Sequence, residues 1–252
     1  MTLGERHALV TGGGRGIGRA IAAALSGSGF PVTVIGRQED SLKDAVQAGD
    51  AAGYVVADVT DETAVTDAVT RAAEARGPID ILVANAGGAE TAPFAQTDAT
   101  LFRRMFELNV LGVVHAVRAV LGVMTARQSG RIVAIASTAG LKGYAYVSAY
   151  CAAKHAVVGL VRALAVETAT TGVTVNAVCP GYTDTDLVRG GIDRLSEKTG
   201  RSRDDILAHM VTQNPMGRLI RPEEVAASVL YLCSPEAGAV TGTVLTVAGG
   251  EI

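Results

Sequence analysis

Short β-branched, apolar runs alternate along the chain with longer Ala-rich stretches whose apolar positions recur at helical spacing. The runs are residues 8–11, 32–35, 54–57, 79–84, 131–136, 173–178 and 243–247. The helical stretches are 19–28, 62–75, 101–127, 149–168 and 223–233, the last opening after Pro222, a favoured first helical residue. The runs are apolar at nearly every position rather than at alternate ones. Each is therefore buried on both faces, as in a parallel sheet. Strands joined by helices of this length form βαβ units, so the expected fold is α/β and doubly wound: a seven-stranded parallel sheet with helices on both faces, forming one domain over residues 1–252. Residues 182–213 break the rhythm with mixed charge between the sixth and seventh runs. Insertions of this length are functional lids or disordered segments, and a substrate lid is expected at about 182–216.

Composition narrows the class. Hydrophobic residues make up 48% of the 252 and charged residues 19%, enough apolar surface for a large core, which excludes disorder as the main state. Twenty-two basic residues against 25 acidic ones leave a net charge of −3, so no basic field exists to neutralise nucleic-acid phosphates or an anionic membrane. Aromatics are only 4% and Trp is absent, which leaves few platforms for stacking bases. Cys151, Cys179 and Cys233 are scattered without CxxC or His-rich spacing, which suits neither a disulfide framework nor a zinc site and points to a reducing compartment. Residues 1–7 lack the basic and apolar regions of a signal peptide, and no uninterrupted apolar run reaches the ~18 residues of a membrane span. A cytoplasmic protein without a metal is expected.

The first run leads straight into Thr11-Gly12-Gly13-Gly14-Arg15-Gly16-Ile17-Gly18 and a helix. A strand reversing into a helix leaves free N–H groups aimed at an anion, and glycine permits both the turn and the close approach of a phosphate to backbone. The loop Gly12, Gly14, Arg15, Gly16, Ile17 and Gly18 is the candidate pyrophosphate cradle. At the end of the second strand, a carboxylate would bind ribose hydroxyls and repel a 2′-phosphate. Gly36-Arg37 stands there instead, and Arg37 with Arg15 can pair with a phosphate dianion. NADP(H) is thus expected over NAD(H), while Glu39 and Asp40, close in sequence, keep NAD open. Asp58, after the third strand, suits a helix N-cap by itself. Asn85-Ala86-Gly87 ends the fourth strand, where small residues leave room for a ligand at the carboxyl ends of the strands.

Tyr150 and Lys154 stand four apart near the start of a helix and so share a face. A phenol of pKa about 10 is a poor base near neutrality; a neighbouring cation favours the phenolate. Ser137, at the end of the fifth strand, faces the same cleft and can hydrogen-bond a substrate oxygen. Asn109 is an amide among Leu108, Val110 and Leu111, costly if buried without partners.

The TGxxxGxG turn, the NAG segment and Ser137, Tyr150 and Lys154 at this spacing resemble the classical short-chain dehydrogenase/reductase family over essentially the whole chain. The resemblance implies a Rossmann-type fold and a catalytic tetrad of Asn109, Ser137, Tyr150 and Lys154. In that family Tyr is the acid/base and Ser orients the substrate oxygen. Lys binds ribose and lowers the Tyr pKa, and Asn holds a water in a relay to Lys. It further implies that Asp58 and Val59 meet the adenine, and that Asn85, Ala86 and Gly87 line the cofactor and brace the sheet. Pro180, Gly181, Thr183 and Thr185 would meet the nicotinamide amide, through backbone at 183 and the hydroxyl at 185. Thr183 departs from the family's usual aliphatic residue there, a change that backbone contacts tolerate. Hydride transfer to the B face of the ring and a homotetramer built on the long helices and the last strand are also implied.

The expected reaction is NAD(P)-linked interconversion of a ketone and a secondary alcohol. The candidate lining is residues 88–94, 141–147 and 187–216, with Ser137, Tyr150, Tyr144 and Leu187 in contact with substrate and Tyr146, Phe94, Ile192 and Met210 nearby. These side chains suit a mid-sized apolar ketone, and the closing segment resembles 3-oxoacyl thioester reductases and hydroxyacyl dehydrogenases. Docking of an acyl carrier protein in those reductases uses basic residues beside the helix before the sixth strand. Residues 168–171 offer none, leaving Arg127 and Arg131, so a small or CoA-linked ketone is favoured. The alternatives are an acyl-carrier 3-oxoacyl reductase, a non-catalytic NADP-binding regulator, and an epimerase or dehydratase that keeps its cofactor. An intact Ser137, Tyr150 and Lys154 argues against the regulator, and the chain length argues against the last.

Overall fold

Alternate residues of a single strand enter two different cores. In β1 (His7–Thr11), Leu9 packs into one apolar layer while Ala8 and Val10 pack into the other; in β4 (Ile79–Ala84), Leu82 and Ala84 oppose Ile81 and Val83. The structure, a computed structural model, describes residues 6–252, so the reading of residues 1–7 falls mostly outside the described residues. The other strands are β2 (Val32–Gly36), β3 (Gly53–Val56), β5 (Gly130–Ile135), β6 (Val173–Pro180) and β7 (Val244–Val247). They form one parallel sheet in the order β3-β2-β1-β4-β5-β6-β7. On one face lie α1 (Gly16–Gly27), α2 (Glu39–Gln47) and α9 (Pro222–Cys233), through Ile21, Leu25, Leu42, Val225 and Val229. On the other lie α3 (Glu62–Arg76), α4 (Ala99–Phe106), α5 (Gly112–Ala126) and α6 (Ser148–Thr168), through Val65, Met105, Val113 and Val157. The order reverses between β1 and β4. The carboxyl ends of those two strands therefore flank the crevice where such sheets bind ligands.

Four elements differ from the expectations. Helix α1 begins at Gly16 rather than at residue 19, so the last glycines of the turn are already helical. Helix α2 has no counterpart among the predicted elements, because only Leu42 and Ala45 of its nine residues are buried and its apolar period is too short to read. The stretch 101–127 is not one regular helix: a single π-helical turn, Glu107–Leu111, separates α4 from α5. Segment 182–213 is ordered, carrying α7 (Asp186–Thr199) and α8 (Arg203–Val211), each capped by a hydroxyl, Thr185 and Ser202. Ala99–Ala126 and Ser148–Thr168 are long and apolar enough to cross a membrane, but their buried faces form the core beneath the sheet. Cys151, Cys179 and Cys233 are buried and unpaired.

Candidate active site

The glycine turn and the end of β4 are locked together by one hydroxyl. Thr11 Oγ1 accepts from the backbone N–H groups of both Asn85 and Ala86, each at 3.0 Å. The Asn85 side chain returns the contact, donating to the carbonyls of Thr11 (2.9 Å) and Gly12 (3.3 Å). Gly12 and Gly16 adopt φ of +67° and +54°, a region costly to any residue with a Cβ. A Cβ on Gly18 would fall 2.3 Å from the Gly12 carbonyl oxygen, so helix and loop meet backbone to backbone. Helix α1 has no side-chain cap and no acid in its first turn, so no side chain occupies its leading N–H groups. Bare amides, a backbone-lined turn and exposed Arg15 beside it fit a pyrophosphate.

Arg37 is two-thirds exposed, with Nη1 3.6 Å from Asp58 Oδ2. Asp58 does not cap a helix: Asp61 caps α3, accepting from Ala64 N. Asp58 instead closes a turn on the amide and hydroxyl of Thr60 (3.0 and 2.9 Å). Burial pushes its carboxyl up, but the Thr60 hydrogen bonds and Arg37 prevail and hold it below its ordinary range. Val59 is buried against Gly112, and its carbonyl meets the His115 ring at 2.9 Å. Glu39, the acid that could have turned toward a ribose, is committed elsewhere, accepting from Tyr54 (3.0 Å) and pairing with Lys43 (3.1 Å).

The four candidate catalytic side chains converge. β5 ends at Ile135, and Ser137, two residues on, opens a 3-10 turn (Thr138–Gly140), its Oγ accepting from Ala139 N at 3.1 Å. Tyr150 lies in the first turn of α6 and Lys154 one turn later. Lys154 is 4% exposed; its Nζ donates to the Ile135 carbonyl at 2.9 Å and lies 5.7 Å from the Tyr150 ring centre. A Cβ on Gly87 would stand 2.8 Å from Asn109 Oδ1 and 3.5 Å from Lys154 Nζ, which places Asn109, Gly87 and Lys154 side by side. Asn109 sits in the π turn, fully buried. Its Nδ2 donates to the carbonyls of Gly88 (2.9 Å) and Met105 (3.0 Å), and its Oδ1 accepts from Gly88 N (3.2 Å). Both amide hydrogens are thereby used and one oxygen lone pair remains.

The electrostatics differ from the expectation of a phenol made acidic by its neighbour. Burial pushes the Tyr150 phenol up to about 12, against a hydrogen bond with Ser137 that lowers it. Burial also draws Lys154 down to about 8. The ammonium, 5.7 Å from the ring centre, is bonded to the Ile135 carbonyl, and among this chain's own groups desolvation dominates at Tyr150.

Pro180 and Gly181 close β6, and the chain then pairs Tyr182 and Asp184 with Ile220 through backbone (2.9 and 2.8 Å). Thr183 is buried, its hydroxyl donating to the Gly181 carbonyl at 3.0 Å. The Thr185 hydroxyl is engaged as the cap of α7, and its methyl stands over Gly16, 3.4 Å from where a Cβ would lie. The start of the predicted lid thus rests on the glycine turn. Ile192 is buried on α7, as Ile206 is on α8. Leu187, Met216, Phe94 and Tyr146 are exposed apolar side chains in the segments expected to line the cleft. Tyr146 is held at φ +68°, its carbonyl bonded by Ala92 N at 2.8 Å. The Tyr144 hydroxyl is engaged with Thr138 and Glu251 rather than offered to a substrate. Thr11 and Glu251 are not among the predicted site residues, and Gly88, predicted only as substrate lining, is instead clamped by Asn109. A hydroxyl just before the glycine turn marked Thr11, whereas no local signal marks Glu251.

A profile of the family described as short chain dehydrogenase matches residues 6–194. The chain is 42% identical over 98% of its length, and 96% of the relative's, to cis-4-hydroxycyclohexanecarboxylate dehydrogenase of Sinomonas cyclohexanicum. It is 38% identical to acetoacetyl-CoA reductase of Rhizobium meliloti (strain 1021), covering 98% of both chains. A crystal structure of a single-residue variant of actinorhodin polyketide ketoreductase with NADPH superposes with a TM-score of 0.94 at 37% identity, over 99% of this chain and 98% of that one.

Proposed function

The chain belongs to the short-chain dehydrogenase family and is an oxidoreductase, and on that premise we propose that it interconverts a mid-sized apolar ketone and its secondary alcohol with NADP(H). The observation that carries the reading is the convergence of Ser137, Tyr150, Lys154 and Asn109 beside a glycine turn that fits a pyrophosphate. When bound, NADPH supplies a hydride to the ketone carbon. Ser137 holds the ketone oxygen, and Tyr150 gives that oxygen its phenolic proton. Lys154, beside Gly87, binds the ribose and returns a proton toward the phenol; Asn109 holds Gly88 and offers its remaining lone pair to a relaying water. Gly12, Gly14, Arg15, Gly16, Ile17 and Gly18 cradle the pyrophosphate, and Asn85 and Ala86 keep that cradle in register with β4. Asp58 and Val59 meet the adenine, while Pro180, Gly181, Thr183 and Thr185 close over the nicotinamide.

NADP(H) is favoured over NAD(H) because Arg37 and Arg15 are exposed where a 2′-phosphate would lie, while Glu39 is held by Lys43 and Tyr54. Exposed Phe94, Tyr146, Leu187 and Met216 favour an apolar ketone, with residues 182–216 as its lid. Arg127 is paired with buried Asp80 at 2.9 Å, and Arg131 is half-buried on the Gly130 carbonyl. Neither is free to dock a carrier protein, which favours a small or CoA-linked substrate. The likeness to a polyketide ketoreductase favours the acyl-carrier alternative, which the same assay separates. A homotetramer built on α5, α6 and edge strand β7 accounts for Val166, 80% exposed on α6, and for four half-buried residues along β7. Buried, unpaired cysteines suit the cytoplasm.

The test is a panel of cyclic ketones, 3-oxoacyl-CoA and 3-oxoacyl-carrier thioesters, each assayed with NADPH and NADH by nicotinamide absorbance. Turnover with NADPH of a ketone or CoA thioester upholds the reading. Turnover of carrier thioesters alone transfers it to the second, and no turnover with any of them overturns both.

A further inference from the structure

Glu251 follows β7, more than 100 residues from its partners, and plays no part in the chemistry above. Its side chain is 1% exposed. Oε1 lies 3.1 Å from Lys142 Nζ and accepts from the Tyr144 hydroxyl. Because the Tyr144 proton goes to the carboxylate, the Thr138 hydroxyl, 2.6 Å away, donates to Tyr144. Lys142 also reaches the Glu251 backbone carbonyl (3.4 Å) and lies 5.0 Å from the Tyr144 ring centre. Oε2 is buried without a hydrogen-bond partner, packed where a Cβ on Gly181 would meet it at 2.8 Å. Tyr182, next to Gly181, stacks edge-on against Tyr144 at 6.1 Å.

A carboxylate with one oxygen unpaired in the interior is expensive to keep, and a merely apolar plug would serve packing better. What the charge does here is tie three segments to one point. The turn after Ser137 arrives through Thr138, the candidate substrate wall through Lys142 and Tyr144, and the end of β6 through Gly181. Thr138 is bonded to the residue whose hydroxyl binds Glu251, and it directly follows Ser137.

We propose that Glu251 is a positioning residue for the reaction: through Tyr144 and Lys142 it pins the segment from 137 to 144 and so sets the place of the Ser137 hydroxyl relative to Tyr150. The proposal rests on the oxidoreductase reading. It places the influence of Glu251 in the chemical step rather than in cofactor affinity, because its ion pair and side-chain hydrogen bond go to Lys142 and Tyr144 and none reaches the glycine turn; toward the nicotinamide side it only packs against Gly181.

The experiment compares the full chain with Glu251→Ala, Glu251→Gln, Tyr144→Phe and the Glu251→Ala/Tyr144→Phe double variant. It measures kcat and KM on a ketone the wild type turns over, NADPH binding by fluorescence, and hydrogen exchange of peptides across 137–147. Expected are a kcat reduced about tenfold or more in Glu251→Ala, NADPH affinity within about twofold of wild type, and faster exchange across 137–147. Glu251→Gln, whose amide oxygen still accepts from Tyr144, recovers most of the loss. Adding Tyr144→Phe to Glu251→Ala costs less than about twofold more, because both break one chain of bonds. Should Glu251→Ala not fold, Tyr144→Phe alone carries the same expectation. Unchanged kcat, unchanged exchange, or a loss shared equally by NADPH binding overturns the proposal. If the wild type reduces no ketone, the functional reading fails and exchange alone decides: faster exchange across 137–147 upholds the anchoring, and unchanged exchange overturns it.

Discussion

At position 154 burial draws an ammonium from 10.5 down to about 8, a displacement of roughly 3 kcal/mol. Because the folded value lies below the unfolded one, the folded state carries the cost of the charge below about 8, and stability rises as pH climbs from there toward 10.5. Lys154→Met should therefore be more stable than wild type at neutral pH, by about 1–3 kcal/mol, and lose that advantage near pH 10.5, while its turnover falls by about 10²-fold or more. Urea unfolding at both pH values, beside a rate assay, checks it; a less stable variant at neutral pH contradicts it. Tyr150, pushed up to about 12, stays protonated at neutrality, the form a ketone reduction needs. Reduction should thus be flat below about 8 and decline above it as Lys154 loses its charge, whereas alcohol oxidation, which needs the phenolate, should rise with pH through neutrality. Rates in both directions with saturating cofactor show this, and identical pH profiles refute it. Tyr150→Phe removes the proton donor and should cost about 10²–10⁴-fold in kcat with cofactor binding retained. Spacing put Tyr150 and Lys154 on one helix face and the family resemblance singled them out, but the direction of the Tyr150 shift was not legible. Four residues along a helix guarantee a shared face, whereas the burial of both groups and the bond of Lys154 to the Ile135 carbonyl are set by other elements.

Two elements hold the site in shape. The glycine turn depends on Gly18 touching Gly12: a methyl group there would sit 2.3 Å from the Gly12 carbonyl oxygen and 2.4 Å from Asn85 Nδ2, both fixed. Gly18→Ala should push α1 off β1, destabilise the fold by about 1–3 kcal/mol and weaken NADPH binding by more than tenfold. Gly27→Ala, with open space at its Cβ, serves as the control that changes neither. Thermal unfolding and titration of the cofactor distinguish them. The π turn between α4 and α5 is the second. Asn109 reaches back to the Met105 carbonyl, the kind of side-chain intrusion into the ladder that bends a helix, and from that wide turn it also clamps both backbone groups of Gly88. Hydrophobic periodicity runs unbroken from 101 to 127, so the helix was visible in the sequence and its interruption was not. The signal was a single amide among apolar residues, which says that a partner exists without saying where.

On the scale of the whole molecule, the strand order brings the carboxyl ends of β1 and β4 together, so that the glycine turn faces Asn85, while the ends of β5 and β6 carry Ser137 and the Pro180-Gly181 turn to the same edge. Arg37, at the end of β2, marks one end of that edge. Arg37→Glu should weaken NADPH by roughly 10–100-fold, the worth of a charge-assisted contact, and leave NADH nearly unchanged; equal losses for both cofactors contradict the 2′-phosphate assignment. Val166→Lys places a charge on the exposed apolar face of α6 and should lower the molecular mass measured by sedimentation, if that face is the subunit interface. By itself the sequence determined the parallel sheet, the glycine turn and the shared helix face of Tyr150 and Lys154, each written in a local pattern: doubly apolar strands, glycines between strand and helix, and helical spacing. Ser137 and Asn109 were joined to them by the resemblance to the family. Only the tertiary structure decided that burial raises the Tyr150 phenol, that Glu39 is bonded to Tyr54 and Lys43, and that Glu251 meets Tyr144 and Lys142. Each of those outcomes is set by burial or by a partner far along the chain, and residue order carries no local trace of either.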